Sequence, residues 1–252
     1  MPETQIIINA DDFGLSGNVN RAIVSAFREG LISDTTMLAN GEAFDEAVTL
    51  AKENGFADNV GIHFNLTEDK PLTEDIKRCP AFCENGIFHD RINRLKPLNK
   101  TEKEAVYKEL SAQAAKIKAA GLKIDHADSH HHIHTAVFIS PIVLRVCKEN
   151  GIEKIRLHRN IGGIPAYKKV IKSIYNKNLR KRGFKTTDCF GSLKDIAGIA
   201  LPDNLEIMAH PDYGKDGILI DRRKFVDGVP TGVALYSVAQ EKNVQLKSYG
   251  DL

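Results

Sequence analysis

A chain of 252 residues that is 42% hydrophobic and 27% charged has ordinary globular composition, and its length suits one large α/β domain better than several small ones. A net charge of +2 makes no electrostatic case for nucleic acid or an anionic membrane surface as partner. The opening MPETQ carries no basic or apolar leader, no apolar run approaches roughly 18 residues, and Cys79, Cys83, Cys147 and Cys189 come without a secretion signal, so reduced thiols in a cytoplasmic protein are expected.

The predicted elements alternate. A β-branched run at 5–10 predicts a strand, and a helix follows over 16–29, which Ser16 can cap and Gly30 can end. A strand at 34–39, a helix at 42–54 and a strand at 60–66 come next. Residues 67–100 are turn-rich and weakly periodic, which predicts a long functional loop of the lid kind. Its Cys79 and Cys83 lack a second Cys or His pair at finger spacing, which disfavours a structural zinc. Then come a helix at 101–120, a strand at 122–127, a helix at 137–149, a strand at 153–158 and a helix at 166–182. The pattern ends with a strand at 205–210, a helix at 230–242 and a strand at 244–249. This is the signature of an α/β fold with mostly parallel strands. No Gly-rich phosphate fingerprint is present, which favours barrel-like closure of one domain over an open dinucleotide-binding sheet.

Within the helix at 166–182, Val170, Ile171, Ile174 and Tyr175 recur at helical spacing, while 168–185 holds eight Lys or Arg and no acid. A helix docked by that stripe with a solvated basic back explains this better than a nucleic-acid patch.

Sites in parallel α/β folds gather at the C-terminal ends of strands. Those ends are rich in metal-type and acid–base residues here: Asn9, Asp11 and Asp12; His63; Asp128 with a histidine tract; Arg156, His158 and Arg159; and His210 with Asp212. Five of the nine histidines fall between 126 and 134. Strand parity places Asp128, His130, His132 and His134 on one face, as far as the strand persists. Imidazoles with a carboxylate suit a divalent metal better than a harmless surface cluster does. An N-cap would explain one of the adjacent aspartates, not both. One can ligate while the other stays free as a base, provided the backbone no longer forces them onto opposite faces.

"NADDFGLS" at 9–16, "GIHFNLT" at 61–67, "KPLT" at 70–73, "DSHHHIH" at 128–134 and "HP" at 210–211 together resemble the YdjC-like carbohydrate deacetylases, and the ending "NVQLKSYGDL" is similar to theirs. The resemblance spans nearly the whole chain. It implies a single-domain distorted TIM-like (β/α) barrel, often a homodimer, with one divalent metal, usually magnesium, zinc or another transition ion being the alternative. The implied reaction removes N-acetyl groups from amino sugars or short chitooligosaccharides such as diacetylchitobiose. Asp12, His63 and His130 match the metal positions, Asp11 the general base and His210 the acid. Arg156 is expected either to orient Asp11 or to contact substrate, and His132 and His134 to contact substrate. A small carbohydrate is then the partner, with neither nucleic acid nor membrane. A metal-dependent phosphoesterase or sugar isomerase on a similar barrel is the competing reading, but it calls for a second acid cluster that the sequence lacks.

Overall fold

The computed structural model describes residues 4–196, 200–226, 229–234 and 244–252. Its frame is β1 (Thr4–Phe13), which carries the three opening isoleucines. There follow α1 (Gly17–Arg28), β2 (Asp34–Met37), α2 (Phe44–Glu53), β3 (Val60–Phe64), the single-turn α3 (Glu74–Lys77), the short strands β4 (Cys83–Glu84) and β5 (Ile87–Phe88), and α4 (Lys100–Ala119). Next are β6 (His126–Ser129), α5 (Ser140–Glu149), β7 (Lys154–Ile155), α6 (Ala166–Lys181), β8 (Cys189–Ser192), α7 (Leu193–Ile196) and β9 (Leu205–Ala209). The chain closes with β10 (Pro211–Tyr213), β11 (Leu219–Val226), β12 (Val229–Ala234) and β13 (Val244–Leu246). Helix starts follow local chemistry. The Ser16 hydroxyl accepts the Val19 N–H to cap α1, and Asn99 with Glu102 forms a reciprocal capping box on α4.

One sheet runs in the order β7-β6-β3-β2-β1-β9-β8, with β13 beside the first half of β1, and all its pairings are parallel. The sheet curls until its two ends approach each other. Lys185, just ahead of β8, bridges Lys154 of β7, and the Phe190 N–H donates to the Asn160 side chain. With helices packed outside, this is the distorted TIM-like barrel expected from the alternation.

The strands are two-sided in chemistry. Ile6, Ile8 and Ala10 join one apolar layer with Val19 and Ile23 of α1 and Ala47 and Ala51 of α2. Several of the alternate positions are polar and meet along the barrel axis. Asn9 donates to Thr36 at 3.1 Å, His126 lies 2.9 Å from the Asn9 carbonyl oxygen, and Arg156 donates to Glu206 at 2.7 Å. Period-two alternation therefore buys a dry outer layer and a hydrogen-bonded interior from the same residues.

Several expectations need correction. The helix foreseen at 230–242 fails over its first part, because Val229–Ala234 is a strand; residues 235–243 lie outside the described residues. It pairs in an antiparallel sheet, β10-β11-β12, which the β/α alternation did not foresee. β8 also went unforeseen. Residues 67–100 are anchored rather than a bare loop: Ile76, Phe82, Cys83 and Phe88 are buried, and Glu109 of α4 accepts the N–H groups of Leu72 and Thr73. Cys79 and Cys83 are buried free thiols outside both ligand-type clusters found among the described residues. The α6 stripe does not dock as a whole: Val170, Ile171 and Ile174 are 61–64% exposed, while Leu179 and Asn176 are the buried contacts. No helix among the described residues is long and apolar enough to cross a membrane.

Candidate active site

The adjacent aspartates reach one pocket because β1 breaks its own pleat. Register against β2 slips between Ala10 and Phe13, and Asp12 takes a left-handed φ of 71°. Asp tolerates that conformation better than most side chains. The bulge turns Asp12 toward β3 and β6, while Asp11 stays over the barrel axis; both are 2% exposed.

Around Asp12 the ligand-type atoms face one another. His63 Nε2 lies 3.2 Å and His130 Nε2 3.8 Å from Asp12 Oδ1, and Glu68 Oε2 lies 3.2 Å from His130 Nε2. The hydrogen bonds behind each ring decide what faces inward. His63 Nδ1 is 2.6 Å from Asp128 Oδ1, so Nδ1 carries the donated proton. The Thr67 hydroxyl gives its proton to Asn65 Oδ1 and is left to accept from His130 Nδ1 at 2.7 Å. In the neutral rings both Nε2 atoms therefore present lone pairs to a buried carboxylate oxygen that has no hydrogen-bond partner. Such an arrangement is repulsive unless a cation, either a proton or a metal ion, sits among them. Burial favours neutral His63, but the Asp128 and Asp12 carboxylates outweigh it and push its pKa up to about 10. Burial pushes His130 down to about 3, against the pull of Asp12. The donor set fits a divalent cation.

A neighbouring grouping, Asp11, His63 and Asp128, brings one ligand-type atom from each within 4.8 Å of the others. Its carboxylates are already taken. Arg156, fully buried, donates to both oxygens of Asp11 at 2.7 Å, to Glu206 at 2.7 Å, and to Asp128. A cation there would confront the guanidinium, so Asp128 is better read as the group that orients His63. Burial works to raise the Asp11 pKa, but the charge and hydrogen bonds of Arg156 hold it well below the usual carboxylate range.

His210 follows β9, 30% exposed, with Nε2 3.8 Å from Asp11 Oδ2 and Nδ1 3.6 Å from Asp221 Oδ1. Asp221 also accepts the His210 backbone N–H at 2.9 Å. Burial would lower the His210 pKa, but Asp221 and the Asp11 and Asp12 charges raise it. From β11, Arg222 donates to Asp12 Oδ2 at 2.9 Å. His210, Arg222, Asp221 and Lys194 line a cavity of about 250 Å³. A larger groove of about 720 Å³ runs along α6, past Leu95, Ile171 and Ile174, away from the carboxylates.

The structure thus brings Asp11, Asp12, His63, His130, Arg156 and His210 together. It does not continue the strand through the histidine tract. β6 ends at Ser129, and left-handed His131 and His132 (φ 50° and 54°) kink the 3-10 turn at His130–Thr135. His132 turns edge-on to Phe190, and buried His134 bonds to Ser129 at 2.6 Å. Arg156 and His134 are 0% exposed, and Arg156 donates to both oxygens of Asp11, the orienting half of what was expected of it. Glu68, Asp221, Arg222 and Glu206 were not foreseen. Glu68 had a signal, since it directly follows a motif that ends a strand. Arg222 had none, because it arrives through the unforeseen hairpin.

The sequence pattern of the family described as YdjC-like protein matches residues 5–241. Carbohydrate deacetylase 1 of Listeria innocua serovar 6a is 32% identical over 257 residues, covering 98% of this chain and all of that one. The crystal structure of a protein designated a cellobiose-phosphate cleavage protein, from Enterococcus faecalis V583, superposes with a TM-score of 0.69 at 21% identity, covering 99% of this chain and 98% of that chain. That structure supports the fold alone. The match over most of the chain, together with the full-length relative, places this chain in the YdjC-like family.

Proposed function

We propose that this protein is a hydrolase that removes N-acetyl groups from amino sugars or short chitooligosaccharides such as diacetylchitobiose, with one divalent cation held by Asp12, His63 and His130. The observation that carries this reading is the set of mutually facing atoms Asp12 Oδ1, His63 Nε2 and His130 Nε2, of which the buried Asp12 oxygen has no hydrogen-bond partner, with Asp11 and His210 beside them. The relative named as a carbohydrate deacetylase supports an acetylated carbohydrate as the substrate. When bound, the cation would supply Lewis acidity to the acetyl oxygen and to water. Two imidazole nitrogens favour a transition ion over Mg²⁺, which prefers oxygen ligands.

The chain's own groups do the rest. Asp11, kept ionised by Arg156, accepts a proton from the attacking water. His210, whose pKa Asp221 and the Asp11 and Asp12 charges raise against burial, is placed to deliver a proton to the departing nitrogen. Asp221 fixes the direction in which His210 faces. An amine leaving group needs that proton more than an ester alkoxide does.

The test is acetate release from N-acetylated amino sugars, diacetylchitobiose among them, with added Zn²⁺, Co²⁺ or Mg²⁺. His210→Ala should cut amide turnover about 10²-fold or more while sparing an activated O-acetyl ester comparatively. If no amino sugar yields acetate under any metal and phosphate esters are cleaved instead, the phosphoesterase reading replaces this one.

A further inference from the structure

The opposite end of the barrel holds a second cluster that none of the proposed chemistry uses. Asp34 begins β2, His126 begins β6, and Asp125 precedes His126; one ligand-type atom from each lies within 4.8 Å of the others. Asp34 is 0% and His126 1% exposed, and Asp34 Oδ2, Asp125 Oδ2 and His126 Nδ1 all lack a hydrogen-bond partner. Three orphaned polar atoms in one buried spot are costly unless something fills it.

The surrounding bonds fix which way these atoms face. Asn9 spends its amide N–H groups on Asp11 and Thr36, so its carbonyl oxygen must accept from His126 Nε2 at 2.9 Å. That leaves Nδ1 as the free nitrogen, 3.4 Å from Asp125 Oδ2. Lys154 takes the other Asp125 oxygen at 2.8 Å, and the Tyr249 N–H takes the other Asp34 oxygen at 3.0 Å. Both carboxylates are thus held with their second oxygens turned inward. The Tyr249 ring stacks on His126, with centroids 4.0 Å apart, and shuts the site from below. The His126 ring in turn occupies the space where a Cβ on Gly61 would come within 2.7 Å of it. A proton on Nδ1 can serve one carboxylate and leaves the other unsatisfied; a divalent cation serves both.

We propose that Asp34, Asp125 and His126 form a second cation site, for zinc or a similar first-row transition ion, that ties the C-terminal turn to the floor of the barrel. One imidazole and two carboxylates are ligands such an ion accepts. Placed at the N-terminal ends of the strands, away from the catalytic loops, the site is structural. It stands or falls independently of the deacetylase reading.

The test is zinc content after equilibration with Zn²⁺ and exhaustive dialysis. The wild type should retain two equivalents per chain, and Asp34→Asn and Asp125→Asn one each. His130→Ala should also retain one, and the double variant Asp34→Asn/His130→Ala none. Anomalous diffraction from zinc-loaded wild-type crystals requires no substitution and should place a peak about 2.0–2.2 Å from Asp34 Oδ2, Asp125 Oδ2 and His126 Nδ1. Lack of density there, or an Asp34→Asn protein with undiminished zinc, overturns the site and leaves protons as its occupants.

Discussion

Asp11 and Asp12 differ in what touches them. Both oxygens of Asp11 are engaged by Arg156, and Asn9 adds a further donor to Oδ1. Asp12 keeps Oδ1 free toward His63 and His130 and gives only Oδ2 to Arg222. Asp11→Asn should therefore retain the cation yet lose turnover by about 10²–10⁴-fold, the range for removing a general base. Asp12→Asn should lose both. Arg156 keeps Asp128 and Glu206 in either variant, so neither strands a lone buried charge. Metal content and initial rate measured on the same preparation separate the two; the reversed pattern would exchange their roles. The carboxylate pair, His63, His130 and His210 were legible because strand ends and short motifs identify them. What the sequence concealed was the bulge with its left-handed Asp12, since period-two parity alone would have sent neighbouring side chains to opposite faces.

The hairpin sheet is the element that the sequence hid. Residues 230 to 234 were read as the start of a helix because strand–helix alternation had held up to that point; yet Gly232 pairs with Arg222, and a Cβ there would meet the Asp221 carbonyl oxygen at 2.0 Å. No alanine fits without moving β12 off β11. The consequence for the site is direct, because Asp221 holds the His210 backbone and Arg222 reaches Asp12. Gly232→Ala should impair turnover while the parallel sheet, which does not contain β12, keeps its far-ultraviolet circular dichroism and cation content. An unchanged kcat would mean that this sheet does not position His210. By contrast, the parallel strands other than β8 and most helices were legible within a few residues, since each buries an apolar face against its neighbours and so repeats at a readable period. The histidine tract was misread in shape for the same reason: it packs through individual side chains rather than through one face.

At the scale of the whole molecule, the polar axis makes stability depend on what occupies the space beside His63. Without a cation, the Asp128 and Asp12 carboxylates hold a proton on this buried ring, raising its pKa from 6.5 to about 10 despite burial. A group whose native pKa lies above its unfolded value contributes stability that is complete below 6.5 and is lost as pH rises toward about 10. At about 1.4 kcal/mol per pKa unit, that amounts to a few kcal/mol. A divalent ion in the same space takes the place of the proton and removes the dependence, adding about 2.7 kcal/mol when free ion exceeds its Kd a hundredfold. The urea midpoint of chelator-treated protein should therefore fall steadily from neutral pH upward, while that of the loaded protein falls less steeply and the gap between them widens. Cation-free His63→Asn, which has no such proton to lose, should show a shallower slope over that range. Parallel curves for the loaded and chelated wild type would mean that the His63 proton and the cation do not compete for one place, and the proposed ligand set would have to be abandoned.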